Sequence, residues 1–369
     1  MRKILLLSAL LASALLAKDV NIGVIMPLSG STAAYGQAAL EGIKLANEMK
    51  NKLPNGDTVK IVVLDTKGDK IESSNAAQRL ISQDKAIGLI GEMLSANTLQ
   101  IMSVAEESKV PLIAPAATGD KILNNKKYSS RVCFMDSFQG SSLAKYASDT
   151  LKYKSAVIVS DQSADYSLGL SRAFEKEFTA KGGKVLKKLR ISSGDKDYKA
   201  VISQIQKLNP DFIYLPVYYT EAALFVRQAR LAGLKTPMGS ADGVADDTFI
   251  KLAEQAAENH IFTDSFDYTN PPTKLSKDFI AQYQKSKKTK EVPNFTAMGA
   301  DAYFVMFEAM QKCASSLTSE CVNNEIHKTT NFNGVSGIIN IDKSGNATRS
   351  LVVKQIQNQK QVYKDSINP

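Results

Sequence analysis

The stretch Val110-Pro-Leu-Ile-Ala-Pro-Ala-Ala-Thr-Gly-Asp120 carries the residue types best suited to hold a small charged molecule. A β-favouring run over residues 110–114 gives way to Pro115 and then to residues of almost no side-chain bulk, the pattern of a strand releasing its chain at a sheet edge. Along Ala116, Ala117 and Thr118 a ligand can reach backbone N–H and C=O groups directly, and the Thr118 hydroxyl adds one donor and one acceptor. Such a set suits a carboxylate and an ammonium held side by side. Standing alone, the stretch reads as an ordinary strand-to-helix turn, so its weight comes from the elements around it.

Those elements alternate regularly. Strands are predicted over residues 20–26, 59–65, 87–91 and 110–114, with helices over 35–50, 71–83 and 98–108 between them. Strands apolar on both faces, alternating with helices, imply a parallel sheet covered on both sides, and ligands in such sheets sit beyond the carboxyl ends of the strands. Here those ends read Pro27-Leu-Ser-Gly-Ser-Thr32, Glu92-Met-Leu-Ser-Ala-Asn97 and Pro115-Ala-Ala-Thr118. Each is small, bears hydroxyls and precedes a helix N-terminus, where free N–H groups favour an anion. A second α/β set begins near residue 155, with strands over 156–160, 185–191, 212–217 and 238–242 and helices over 167–181, 198–208 and 221–232. Its strand ends read Asp161 to Tyr166, Tyr218-Tyr219 and Ala241-Asp242-Gly243. Two α/β lobes whose strand ends face each other make a cleft. Helices follow near 274–287 and 296–313, then two closing strands over 332–341 and 350–362, separated by a turn at Asp342-Lys-Ser-Gly-Asn346.

Composition narrows the function classes. A chain of 369 residues, 44% apolar and 22% charged, has room for two globular domains of about 150 residues each. The net charge of +9 is spread along the chain, and its densest run, Lys285-Ser-Lys-Lys-Thr-Lys290, follows a helical pattern without interleaved aromatics, so it reads as a solvated helix end and not as a nucleic-acid contact. Residues 1–17, with Arg2-Lys3, an apolar run over 4–16 and Ala17 before Lys18-Asp19, read as a secretory signal peptide cleaved after Ala17 or after Ala14, which places the mature protein in the periplasm. In that oxidising compartment Cys313 and Cys321 are spaced for a disulfide across a polar loop, while Cys133 reads as a buried small hydrophobe. The cysteines, with His260 and His327, make no metal-ligand spacing. The glycine fingerprint of dinucleotide folds, the nucleophile elbow of hydrolases and the phosphate loop are all missing, which argues against an enzyme and for no cofactor.

Taken in order, Pro27-Leu-Ser-Gly with Tyr35-Gly36, Ser95 after Gly91-Glu-Met-Leu, Pro115-Ala-Ala-Thr118, Tyr166, Arg227-Gln-Ala-Arg230 with Ala232-Gly-Leu-Lys235, and Asp242-Gly-Val-Ala245 form a specific pattern. The sequence resembles the periplasmic leucine/isoleucine/valine-binding proteins of ABC transporters across nearly the whole mature chain. The resemblance implies a type I periplasmic binding fold, two Rossmann-like lobes joined by a three-crossing hinge with the ligand in the interlobe cleft. Lobe 1 would comprise residues 18–136 and 265–345, and lobe 2 residues 137–264 and 346–369. It further implies that the hydroxyls of Ser95 and Thr118, with nearby N–H groups around Ala117, hold an α-carboxylate. The Ala116 carbonyl, Thr118 and Asp242 would take the α-ammonium. Tyr35, Tyr166 and Tyr218 would wall the pocket, and Met93 and Leu94 would shape its side-chain end. Asp242 stands where relatives commonly carry glutamate. The implied function is capture of a small amino acid, branched and aliphatic, by a monomer that delivers it to a membrane permease. Another amino acid, γ-aminobutyrate or a small amide, or service to a chemoreceptor, is the alternative.

Overall fold

The computed structural model describes residues 17–369, so the predicted signal peptide lies almost wholly outside the described residues. The first part of the chain runs β1 (Asp19–Met26), α1 (Ala33–Met49), β2 (Thr58–Asp65), α2 (Lys70–Ser82), β3 (Gly88–Gly91), α3 (Ser95–Ser108), β4 (Leu112–Ala114) and β5 (Ser129–Arg131). These five strands form one parallel sheet in the order β2-β1-β3-β4-β5. The apolar runs in β1, β3 and β4 are almost wholly buried, as strands covered by helices on both faces must be.

The second part runs α4 (Asp136–Lys145), β6 (Ser155–Asp161), α5 (Asp165–Ala180), β7 (Lys184–Ile191), α6 (Lys199–Leu208), β8 (Phe212–Tyr214), α7 (Tyr219–Leu231), β9 (Met238–Ser240), α8 (Asp247–Ala253) and β10 (Ile261–Asp264). The chain then returns to the first lobe with α9 (Lys274–Lys287), α10 (Asn294–Lys312) and α11 (Ser319–Ile326), followed by the short strands β11 (Phe332–Asn333), β12 (Ile338–Ile341) and β13 (Ala347–Thr348). It ends in β14 (Leu351–Gln357) and β15 (Lys360–Ile367), which pair antiparallel at the edge of the second sheet, ordered β15-β14-β10-β9-β8-β6-β7. Its parallel strands, β7-β6-β8-β9-β10, repeat the order of the first sheet. Each sheet therefore reverses strand order beside its first strand, where a crevice opens for a ligand.

Two features of the tail differ from the sequence expectation. Residues 332–341 do not form one closing strand, because the chain folds back over Gly334 to Gly337 and the Asp301 carboxylate captures the Val335 and Ser336 N–H groups. The expected strand over 350–362 turns at Asn358-Gln359, both with positive φ, into the β14–β15 hairpin. Cys313 and Cys321 are joined by a disulfide at the end of α10, and Cys133 is buried, its thiol pushed up to about 12 chiefly by that burial. No helix among the described residues is long and apolar enough to cross a membrane.

Three segments cross between the lobes, after β5, after β10 and between β13 and β14. Arg349, buried in the third, donates from Nη1 to the Val132 carbonyl at 3.2 Å and from Nη2 to the Ser265 carbonyl at 2.8 Å, so one guanidinium ties all three crossings. It also donates to the Ser336 carbonyl at 2.9 Å. On the second-lobe side, the buried Lys354 ammonium pairs with Asp264 at 2.8 Å and Asp267 at 3.4 Å.

The first lobe depends on close backbone contact between α1 and α10. A Cβ added at Gly42 would lie 1.8 Å from the Thr296 carbonyl oxygen, and one at Gly299 would lie 2.2 Å from that of Ala39. Gly42→Ala must push two buried helices apart. We expect a loss of about 2–3 kcal/mol in urea unfolding; a loss below about 0.5 kcal/mol, the scale of a neutral surface change, would show that the helices part freely.

Candidate ligand cleft between the lobes

The strand ends of both sheets converge on one small cavity between the lobes. From the first lobe it is lined by Tyr35 on α1, Met93 and Ser95 after β3, and Ala116 and Thr118 after β4. From the second come Tyr166 on α5, Tyr218 at the start of α7, and Asp242 with Gly243 after β9. Phe295, at the start of α10, completes the wall. Eight of the residues anticipated from sequence thus share one hollow, while Ala117 and Leu94 lie behind it. Ala117 is fully buried, and its carbonyl is turned away to Arg131 at 3.1 Å. Leu94 precedes α3, where its carbonyl accepts the Asn97 and Thr98 N–H groups and its side chain joins the core.

Polar groups divide by charge preference across the cavity. On the first-lobe side Ser95 heads α3, a 14-residue helix with no acidic residue in its first turn. The Ser95 hydroxyl oxygen accepts the Gly119 N–H at 3.0 Å, which leaves its proton free to donate. The Thr118 N–H donates to no acceptor among the described residues. These are donors for an anion. The Ala116 carbonyl accepts no hydrogen bond among the described residues and sits at the same loop, an acceptor within reach of the same molecule.

Across the cleft Asp242 opens a short 3₁₀ turn. Its Oδ1 accepts from the Tyr166 hydroxyl at 2.9 Å and the Gln139 amide at 3.0 Å, while Oδ2 receives no donor among the described residues. The same Gln139 amide donates to Asp136 Oδ1 at 3.0 Å, so two buried carboxyls share one neutral donor. Among the described residues no ammonium or guanidinium pairs with either. Burial pushes Asp242 up to about 6, opposed by its bonds to Gln139 and Tyr166. Asp136 is driven well above the carboxylate range by burial and then by the charge of Asp242. The pair lacks a cation, and one arriving in the cavity would supply it.

Aromatic side chains make the remaining wall. Tyr166 and Tyr218 stack with centroids 4.8 Å apart, and Tyr35 meets Tyr219 at 4.8 Å and Phe295 at 5.0 Å edge to face. Burial raises the phenols of Tyr35, Tyr166 and Tyr218 well above their ordinary range, so they stay neutral donors. Tyr35 also fastens the lobes. Its hydroxyl donates to the Gly243 carbonyl at 2.5 Å and accepts the Tyr219 N–H at 3.2 Å, beside a Thr220-to-Ser31 bond of 3.0 Å at the rim. The lobes are therefore closed on the cavity.

Sequence reading passed over Phe295, Gln139 and Asp136. All three stand in the first turns of helices, where a cleft-facing side chain has the same spacing as a core-facing one. Asp136-Ser-Phe-Gln139 at a helix start, joining an acid and an amide three residues apart, was the one local signal. Among the described residues no group of three or more His, Cys, Asp or Glu could hold a metal ion.

With this geometry in place, the likeness to known proteins is specific. The family model described as periplasmic binding protein matches residues 19–361. A Leu/Ile/Val-binding protein of Rhizobium johnstonii is 28% identical over 337 residues, 89% of each chain. The leucine-specific-binding protein of Salmonella typhimurium is 27% identical, covering 82% of this chain and 80% of its own. Among solved structures, a leucine binding protein from Thermotoga maritima superposes with a TM-score of 0.91 at 40% identity, covering 95% of this chain and 99% of that one. A branched-chain amino acid transporter substrate binding protein from Streptococcus pneumoniae, solved with isoleucine, gives 0.90 at 27% identity over 95% of this chain and 100% of that one. Two repeated sheets, a cleft at their strand ends and a family match over nearly the whole described chain converge on one conclusion: the chain belongs to the periplasmic binding protein family, with the type I fold.

Proposed function

We propose that the protein captures a small aliphatic α-amino acid of the branched-chain class and delivers it to the membrane permease of an ABC importer. The observation that carries this reading is the complementary polar set in one closed cavity. The Ser95 hydroxyl and the Thr118 N–H face an α-carboxylate, while Asp242 Oδ2 and the Ala116 carbonyl face an α-ammonium. Past these groups the wall is Met93, Phe295 and tyrosine rings, with no acid or base to meet a charged side chain. Leucine, isoleucine or valine leaves none of these groups unpaired and buries its side chain against rings. Charge-assisted hydrogen bonds contribute about 1.5–3 kcal/mol each. Three or four of them reach the ~8 kcal/mol of micromolar binding once ordering costs are subtracted. The chemistry ends with binding, since the cavity offers no activated nucleophile. The predicted signal peptide places the work in the periplasm, where a monomer suits a shuttle. The permease would receive the closed form, in which residues of both lobes are brought together at the rim.

Calorimetry of the ligand-stripped protein against the common amino acids, γ-aminobutyrate and short amides tests the reading. Heat should come from leucine, isoleucine or valine; binding only by compounds without an α-ammonium would remove the role given to Asp242. Ser95→Ala and Asp242→Asn should each weaken leucine binding about tenfold or more, near 1.4 kcal/mol. Both empty variants should remain folded at pH 7.

The pH dependence has a definite sign. An ammonium needs the Asp242 carboxylate, which in the empty cleft sits near 6. Affinity should be full at neutral pH and fall below about pH 6, approaching a factor of ten per pH unit. For folding the sign is opposite. The native state holds this proton more tightly than the unfolded chain, so Asp242 favours the empty fold below its ordinary value and that advantage is lost as pH rises through about 6. Asp242→Asn should remove on the order of 2 kcal/mol of this slope in unfolding measured between pH 4 and 7. An unchanged pH profile of both binding and stability in Asp242→Asn would overturn the assignment.

A further inference from the structure

Arg131, at the end of β5, is fully buried one layer behind the ligand loop. Its donors all go to uncharged oxygens. Nη1 reaches the carbonyls of Ala117 at 3.1 Å and Gly119 at 2.9 Å, while Nε and Nη2 share the Asn346 side-chain oxygen at 3.0 and 2.5 Å. It forms no ion pair among the described residues. Burying a charge without an opposite one is costly, and uncharged oxygens offset only part of that cost.

The direction of these bonds shows what the charge does. In a trans peptide the N–H points away from the C=O, and the Ala117–Thr118 bond is trans. With the Ala117 carbonyl drawn back to the guanidinium, the Thr118 N–H is turned the other way, toward the cavity that Thr118 lines. The second carbonyl, that of Gly119, stops the loop from rolling, and the Gly119 N–H is pinned on the other side by the Ser95 hydroxyl. We infer that Arg131 is the positioning residue for the ligand's carboxylate: it aims the Thr118 N–H, and its charge is passed to the anion through the aligned peptide dipole without touching the ligand. Asn346 and the Gly345 carbonyl, which accepts the Arg131 N–H at 2.9 Å, anchor this strut in the turn that leads into the third crossing. The orientation of the carboxylate donors is thereby linked to the hinge. This inference rests on the amino-acid reading above.

Arg131→Lys keeps the charge and loses the planar fork, and Asn346→Ala loosens the fork from behind while leaving Arg131 in place. Two measurements separate positioning from simple support. The first is calorimetric affinity for leucine and for leucinol, which has the same side chain and ammonium but no carboxylate. The second is the Thr118 amide resonance in ¹⁵N-labelled protein, which should move downfield in the wild type as leucine binds. Arg131→Lys should weaken leucine binding about tenfold, change leucinol binding by less than about threefold and shrink the Thr118 shift. Asn346→Ala, which serves if Arg131→Lys does not fold, should cost leucine about threefold with the same contrast. Parallel losses for both ligands, or a Thr118 shift of wild-type size, would overturn the inference and leave Arg131 a structural strut. A wild type silent toward every α-amino acid would overturn the functional reading as well; wild-type binding with both variants unchanged would overturn only this inference.

Discussion

One buried guanidinium holds the two halves of this molecule to a single pivot. Arg349 bonds to carbonyls in the first and second crossings while itself lying in the third, so none of the three can drift without leaving buried donors unpaired. The Asp301 carboxylate opposes the effect of burial on Arg349 and also gathers the Val335 and Ser336 N–H groups, which fixes the loop beneath. Together with Lys354 between Asp264 and Asp267, these ions lie in low dielectric, where a misplaced partner is expensive. Their arrangement concentrates buried ionic contacts at the crossings between the lobes. The cleft can then be built from strand ends far apart in sequence and still come together within hydrogen-bond tolerance.

The cleft itself is unusual in where it keeps its charges. Asp136 and Asp242 share a neutral amide with no cation paired to them among the described residues, and Arg131 on the opposite side stands behind a layer of peptide. Negative and positive sources therefore face the cavity from different lobes. A zwitterion lying across it would complete both and bind the two lobes through the ligand as well as through Tyr35.

Much of this was legible in the sequence because strand ends in α/β lobes are short, small and punctuated. Pro115-Ala-Ala-Thr118 marks itself by lack of bulk, and Ser95 and Asp242 by their place between an apolar run and a helix. The parallel, doubly covered sheets followed from alternation; their strand order did not. What could not be read was depth. Ala117 and Thr118 are neighbours with the same surroundings in sequence, yet one carbonyl turns back to Arg131 and the other residue lines the cavity. Phe295 heads a helix that is buried almost throughout, and its spacing does not distinguish core from cleft. The tail strands misled because β-favouring runs flank Gly334 to Gly337 and Asn358-Gln359 on both sides and were joined across these breaks, where backbone conformation and a distant carboxylate decided the path.

The sequence contains 13 tyrosines and no tryptophan. Tyr35, Tyr166, Tyr218 and Tyr219 crowd together in one cluster at the junction of the lobes, with hydroxyls bonded across it and rings stacked or edge-on. No indole masks their ultraviolet emission. Opening the hinge would separate Tyr35 from Tyr219 and admit solvent to the phenols, so the unmodified molecule carries its own optical gauge of opening, readable without a dye, a label or an introduced residue.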